Sequence, residues 1–159
     1  MFAVPANTVA SAASPASLTA VHPARIAIDC ARDRSQWAQL LRYDPDERYA
    51  ALIERTVDYE IWLLSWLPGQ HTELHDHGGA TGAFTVVTGT LSESVIGRDN
   101  MPVRHTVGVG QSRVFGPHYV HQVSNSRSDP AVSIHVYRPE RGAMTPYLWD
   151  PVSGLSRRG

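Results

Sequence analysis

Three histidines carry the most specific chemistry in this chain. His75 and His77 stand one residue apart in the run WLPGQHTELHDHGGATGAFTVVTG, and His121 follows far downstream in HQVSN. Imidazole nitrogen is a preferred ligand of iron, zinc, copper and nickel, and three such ligands leave coordination positions open for reactants. On a β-strand, residues i and i+2 point to the same face, so His75 and His77 can converge on one ion while Asp76 points away. A carboxylate in that place could hold a ligand from behind, since metal-bound imidazoles are usually fixed by a hydrogen bond at their other nitrogen. The surroundings suit short strands: Pro68-Gly69 marks a turn, and Gly78, Gly79 and Gly89 punctuate β-rich runs such as Phe84 to Val87.

A second constellation lies near the end of the chain. Ser133, His135 and Tyr137 alternate with Val132, Ile134 and Val136, so a hydroxyl, an imidazole and a phenol share one strand face. Burying them unpartnered would cost about 1–3 kcal/mol each, which favours a relay in which they bond to one another and to something in a pocket.

Taken together these residues resemble the cupins. The first cupin motif runs glycine, five residues, His-x-His, a short gap, glutamate, six residues and glycine, and Gly69, His75, His77 and Gly89 fall on it. Gly82 stands where the glutamate belongs. The second motif is looser, with His121 and Asn125 carrying the match and His118 on a glycine position. Loss of the glutamate makes the chain similar to the thiol dioxygenases, of the bacterial cysteine dioxygenase type, and the likeness continues through WLLSWLPGQ, GAFTVVTGTLSE and SIHVYRP. That resemblance implies a mainly β fold, a cupin (double-stranded β-helix, jelly-roll-like) barrel preceded by short N-terminal helices. It also implies Fe(2+) held by His75, His77 and His121, and oxidation of a small thiol by O₂. L-Cysteine, giving cysteine sulfinate, is the first expectation for the thiol and 3-mercaptopropionate the second. Tyr137 would lie nearest the reactants, with His135 and Ser133 behind it. Some relatives crosslink this tyrosine to a cysteine, but the matching position is again Gly82, and the one cysteine, Cys30, lies outside the barrel motifs.

The substrate carboxylate poses a separate question. Relatives acting on cysteine carry an arginine in a Tyr-x-Arg sequence, whereas Tyr49 here is followed by Ala50 and Ala51. Arg48 and Arg55 flank the stretch, and guanidinium is shaped for two-point carboxylate recognition. If ERYAALIER is helical, the two share a face and either could reach the pocket, or both could be solvated. Relatives acting on 3-mercaptopropionate place an arginine toward the end of the barrel, where this chain reads MTPYLWDP.

The elements that must position these groups follow from periodicity. Residues 1–23 are rich in Ala, Ser, Thr, Val and Pro with no Lys or Arg before Arg25, and read as a flexible arm rather than a secretory signal. Residues 24–159 read as a single domain with a helical N-terminal part. Apolar spacing predicts helices between Ala24 and Glu54, with Asp44 as N-cap and Pro45 in the first turn of the second. From Tyr59 onward short strands with Gly, Pro and Asn turns predict a double-sheet barrel.

Composition narrows the function classes. Fourteen basic against fifteen acidic residues, with no basic run, argue against nucleic acid, and no run approaches the length of a membrane span. A single cysteine fits a reducing cytoplasm, and a monomer is expected. A non-catalytic metal-binding cupin and a carbon-oxidising cupin are the competing readings, because fold alone does not fix activity. His71, His105 and His118 read as strand or rim residues, and Trp62 and Trp66 as aromatic packing.

Overall fold

The computed structural model describes residues 21–159, so the arm expected over residues 1–23 lies outside the described residues except at its last few positions. Helix α1 (Pro23–Arg32) opens with Pro23 and is capped by His22, whose Nδ1 accepts the Ala24 amide at 3.1 Å. Two 3₁₀ turns (Arg34–Gln36 and Ala38–Leu40) follow. Everything after them is strand and loop.

The second helix expected before residue 54 does not form. Asp44 does accept the amides of Asp46 and Glu47, as a cap would, but it closes only a turn. Tyr49–Arg55 is strand β1, paired antiparallel with β2 (Glu60–Trp66) from Tyr49↔Ser65 to Arg55↔Glu60. Ala, Leu and Glu favour a helix only by tenths of a kcal/mol, and the open edge of β2 outweighs that preference with a full ladder of backbone hydrogen bonds.

The remaining strands are β3 (His75–Asp76), β4 (Thr81–Thr88), β5 (Leu91–Ile96), β6 (Pro102–Val107), β7 (Ser112–Phe115), β8 (His121–Ser124), β9 (Ala131–Arg138), β10 (Thr145–Asp150) and β11 (Gly154–Arg157). They form two antiparallel sheets, ordered β1-β2-β9-β4-β7 and β11-β10-β3-β8-β5-β6. This is the two-sheet jelly-roll arrangement the strand spacing predicts.

Alternation sorts the core into two compartments. On β2 and β9, Ile61, Leu63, Val132, Ile134 and Val136 face outward, where Ala27 and Cys30 of α1 and the Trp37 ring cover them. The opposite faces point into the barrel, where Leu64, Trp66 and Ala131 pack with Phe84, Val86, Leu91, Val107 and Val123. Strand β9 is therefore buried on both faces, apolar outside and partly polar inside. His118 has φ +57°, the left-handed conformation that glycine takes most readily, which accounts for its glycine position in the sequence pattern.

Candidate metal centre

Strand β3 is only two residues long, and its neighbours aim the ligands. His75 pairs with His121 across β3–β8 and with Pro146 of β10. The loop before β3 is tied down by Thr72, whose amide donates to the Val123 carbonyl at 2.8 Å while its hydroxyl accepts the Val123 amide at 3.0 Å. Asn125, the other anchor of the second sequence motif, donates to the Trp66 and Asp129 carbonyls at 3.0 and 2.8 Å and fixes the return of the chain after β8. The three imidazoles then converge, with His77 Nε2 3.1 Å from His75 Nε2 and 3.5 Å from His121 Nε2.

Those separations suit a shared metal ion. Ligand bonds of roughly 2.1 Å subtending angles of about 95° and about 113° span the same gaps. Hydrogen bonds at the far nitrogens fix the lone pairs. His75 Nδ1 donates to the Glu73 carbonyl at 2.7 Å, and His121 Nδ1 to the Glu93 carboxylate at 2.8 Å, which leaves both Nε2 atoms as acceptors facing inward. The buried His77 Nδ1 has no partner among the described residues; its ring is held by packing, stacked on Phe115 at 5.2 Å and against Tyr137 at 4.8 Å. The three are a cluster able to hold a metal, and with all of them neutral the ion would keep open positions.

Asp76 does not brace a ligand. Its carboxylate accepts the Gly78 amide at 2.9 Å and the Tyr147 hydroxyl at 2.7 Å, stapling the turn after β3 to β10. The brace is Glu93, which is fully buried on β5 and also accepts Arg113 Nε at 2.7 Å and the Tyr119 hydroxyl at 3.2 Å. Burial pushes the Glu93 carboxyl up, but the bonds from His121 and Arg113 outweigh it and hold the group below its usual range, as a carboxylate. The signal in the sequence was an acid at an inward-facing position between Leu91 and Val95.

Burial, followed by the charges of neighbouring histidines, lowers His75 to about 4 and His77 to about 3. Both are therefore ready to bind metal at neutral pH without first losing a proton. An unfolded chain takes up these protons near pH 6.5, whereas the fold resists them, so stability falls as pH drops from about 6.5 toward about 4 and 3. Metal-free protein is expected to lose about 2 kcal/mol for each of these two rings, about 4 kcal/mol together, between pH 7.5 and pH 5 in chemical denaturation. A flat profile would show that these rings are not held neutral by the fold.

The polar face of β9 forms a directed chain. Trp66 Nε1 donates to Ser133 Oγ at 2.9 Å, and Ser133 Oγ lies 2.7 Å from His135 Nε2. Indole can only donate; with the serine hydroxyl donating onward, His135 Nε2 accepts and the ring proton sits on Nδ1, 3.5 Å from the Tyr137 oxygen. The Tyr137 O–H is left to point into the cavity. His135 is fixed by stacking on Phe84, its cross-strand neighbour, at 5.0 Å, and burial holds it neutral, well below its ordinary pKa. Burial also raises the Tyr137 phenol against the pull of Arg141 and Arg48.

The cavity these groups line has a volume of about 10 Å³, room for roughly one water. It adjoins an open groove of about 760 Å³, and Arg48, Thr72, His75 and Met144 line both. Arg48 is thus brought to the histidines. Arg55 is not: it lies on the surface at the far end of β1, 2.7 Å from Glu60. Their shared face required a helix, and the strand separates them. In place of Arg55 the cavity receives Arg141, which follows β9 and was not a candidate from sequence.

Gly82 sits beside Tyr137 in the β4–β9 ladder, and a Cβ there would collide with the Val136 carbonyl and the Phe115 ring. Phe115 fills the space that a side chain at this position would occupy. Gly82→Ala is expected to lower stability by about 1–3 kcal/mol in thermal or denaturant unfolding, because Phe115 must leave its stack on His77. Unchanged stability would mean that the ring yields freely.

The sequence pattern of the family described as cysteine dioxygenase type I matches residues 16–147. The chain belongs to this family. A human member, cysteine dioxygenase type 1, is 24% identical over 117 residues, covering 67% of this chain and 58% of that one. This chain therefore spans somewhat more than half the length of that relative. Among solved structures, a Klebsiella pneumoniae protein with a double-stranded beta-helix domain superposes with TM-score 0.60 at 19% identity, over 69% of this chain and 91% of that one. A cupin superfamily protein from Desulfitobacterium hafniense gives TM-score 0.54 at 9% identity, over 65% and 87%. At such identities the two structures speak to the fold alone, which is that of a cupin. No helix among the described residues is long and apolar enough to cross a membrane.

Proposed function

We propose that this chain is a mononuclear iron dioxygenase of small carboxylate-bearing thiols, with L-cysteine as the reference substrate and 3-mercaptopropionate as the alternative. The observation that carries the reading is the chain from Trp66 through Ser133 and His135 to Tyr137, which delivers a hydroxyl proton beside three convergent imidazoles. A storage or structural metal site has no use for such a relay, and a structural zinc site normally closes with a fourth protein ligand. Family membership supports the same reaction class.

His75, His77 and His121 would hold the metal. Fe(II) bound there would supply affinity for a thiolate and for O₂ and a route for electrons from one to the other. Arg48 faces the cavity to fix the substrate carboxylate. Most side chains lining the cavity are buried, so a bound thiol meets O₂ shielded from bulk water and in one orientation. Tyr137 donates its hydroxyl toward the reacting atoms, and His135 Nδ1–H steadies the phenol oxygen from behind. The S–H and O–O bonds break and two S–O bonds form; sulfur gives up four electrons, O₂ accepts them, and the thiol proton is released as the sulfinic acid ionises. A reducing cytoplasm would supply such thiols.

The test is O₂ uptake by protein loaded anaerobically with iron and given L-cysteine, 3-mercaptopropionate and cysteamine in parallel, with the product identified by mass. Uptake with the carboxylate-bearing thiols, little with cysteamine, and a mass gain of two oxygen atoms are expected. Silence with all three in protein that contains iron would overturn the assignment.

A further inference from the structure

We propose that Arg48 and Arg141 form a paired anion site beside the histidines, and that the thiol this chain handles best carries two carboxylates and no ammonium group. The inference rests on the dioxygenase reading above for the thiol, and on the two arginines alone for the anion site.

The two guanidinium groups reach the cavity from different elements, Arg48 from just before β1 and Arg141 from the loop after β9. Each lies over an indole of β2: the Arg48 Cζ is 5.0 Å from the Trp66 ring centroid, and the Arg141 Cζ is 4.7 Å from that of Trp62. Among the described residues neither guanidinium forms an ion pair. Like charges gathered at one small cavity repel, and Arg48 is indeed disfavoured as a cation by burial and by the charge of Arg141. An arrangement of this kind is stable when an anion bridges it.

Among the described residues no carboxylate lines the cavity to offset the two charges; its other polar groups are imidazoles, the Thr72 hydroxyl, the Tyr137 phenol and the Trp66 indole. The nearby buried acids are engaged elsewhere. Glu93 serves His121, Arg113 and Tyr119. Glu60 accepts Arg55 at 2.7 Å, Trp62 Nε1 at 2.9 Å and the Arg141 backbone amide at 3.0 Å. Asp46, Glu47 and Glu73 line only the outer groove, where water screens them, and Glu73 is paired with Arg158.

Glu60 also makes the site a built one. It fixes both the loop that carries Arg141 and the indole on which the Arg141 guanidinium rests, while Arg55 braces Glu60 from the surface. A thiol with one carboxylate would satisfy one guanidinium and leave the other unpaired. An ammonium group would enter a doubly positive cavity with no carboxylate in its lining to pair with it. A four-carbon thiol dicarboxylate offers each arginine a carboxylate and adds no positive charge.

Calorimetric titration of the metal-free protein with succinate, propionate and β-alanine tests the anion site without any turnover. Succinate is expected to bind at least about tenfold more tightly than propionate, and β-alanine most weakly. Arg141→Gln should erase the advantage of succinate, and Arg141→Lys, which keeps the charge but not the fork, should keep part of it. Equal affinity for succinate and propionate, or succinate binding untouched in Arg141→Gln protein of native circular dichroism, would overturn the proposal. In iron-loaded protein, kcat/KM should be highest for mercaptosuccinate, and Arg141→Gln should raise KM for it about tenfold or more with a smaller change for 3-mercaptopropionate. A kcat/KM for L-cysteine above that for mercaptosuccinate would sink the substrate assignment. Tight succinate binding without oxidation of any thiol would fell the dioxygenase reading while supporting the arginine pair.

Discussion

His77→Ala protein is expected to fold and to carry almost no metal. Its Nε2 is the point at which the three imidazoles meet, within 3.1 Å of one neighbour and 3.5 Å of the other. Removing a hydrogen-bond partner behind a metal ligand typically costs about 10–100-fold in affinity, so removing the ligand itself should cost more than about 100-fold. After loading and desalting, metal per chain should fall below about a tenth of the wild-type value, and turnover should fall with it. His75→Ala and His121→Ala should behave alike, although His121→Ala also leaves the buried Glu93 carboxylate short of one partner and should be the least stable of the three. Elemental analysis beside activity decides the matter. A His77→Ala protein with full metal and full turnover would show that the metal sits elsewhere.

The second large effect belongs to Tyr137 and has the opposite signature. Tyr137→Phe should retain the metal and lose turnover, with kcat down by about 10²-fold or more, the usual contribution of a positioned proton donor. The phenol oxygen has only one long contact among the described residues, to His135 at 3.5 Å, so its loss should leave the fold intact. The raised phenol pKa keeps the proton in place through the neutral range, so no limb of a pH–rate profile below about 9 should belong to this residue. An unchanged kcat in the Tyr137→Phe variant would reduce the relay to a packing device.

Sequence periodicity makes the histidines and the inner face of β9 legible because both depend on strand alternation, a local rule that β3, β8 and β9 obey. The loss of the motif glutamate at Gly82 is legible too, but not what takes its space: Phe115 comes from β7, and only the β4–β7 pairing brings it there. Arg141 and Glu93 escape a sequence reading for a related reason. Arg141 reaches the cavity because Glu60, about eighty residues away in sequence, holds its backbone. Glu93 reaches His121 across the β5–β8 ladder. The segment Tyr49–Arg55 reads as helix from sequence because its apolar residues fit either period, and the vacant edge of β2 decides between them. Arg55 falls away from the pocket with the helix that was to carry it there.

Trp66 lies at an unexpected crossing. Its ring face supports the Arg48 guanidinium, while its ring N–H begins the chain that ends at Tyr137. A cation over an indole draws electron density toward itself and makes the N–H a stronger donor. When a carboxylate neutralises Arg48, that pull weakens, and the change passes through Ser133 and His135 to the phenol. If a carboxylate binds Arg48 as proposed, the ultraviolet emission of Trp66 should register its arrival before any bond to sulfur changes.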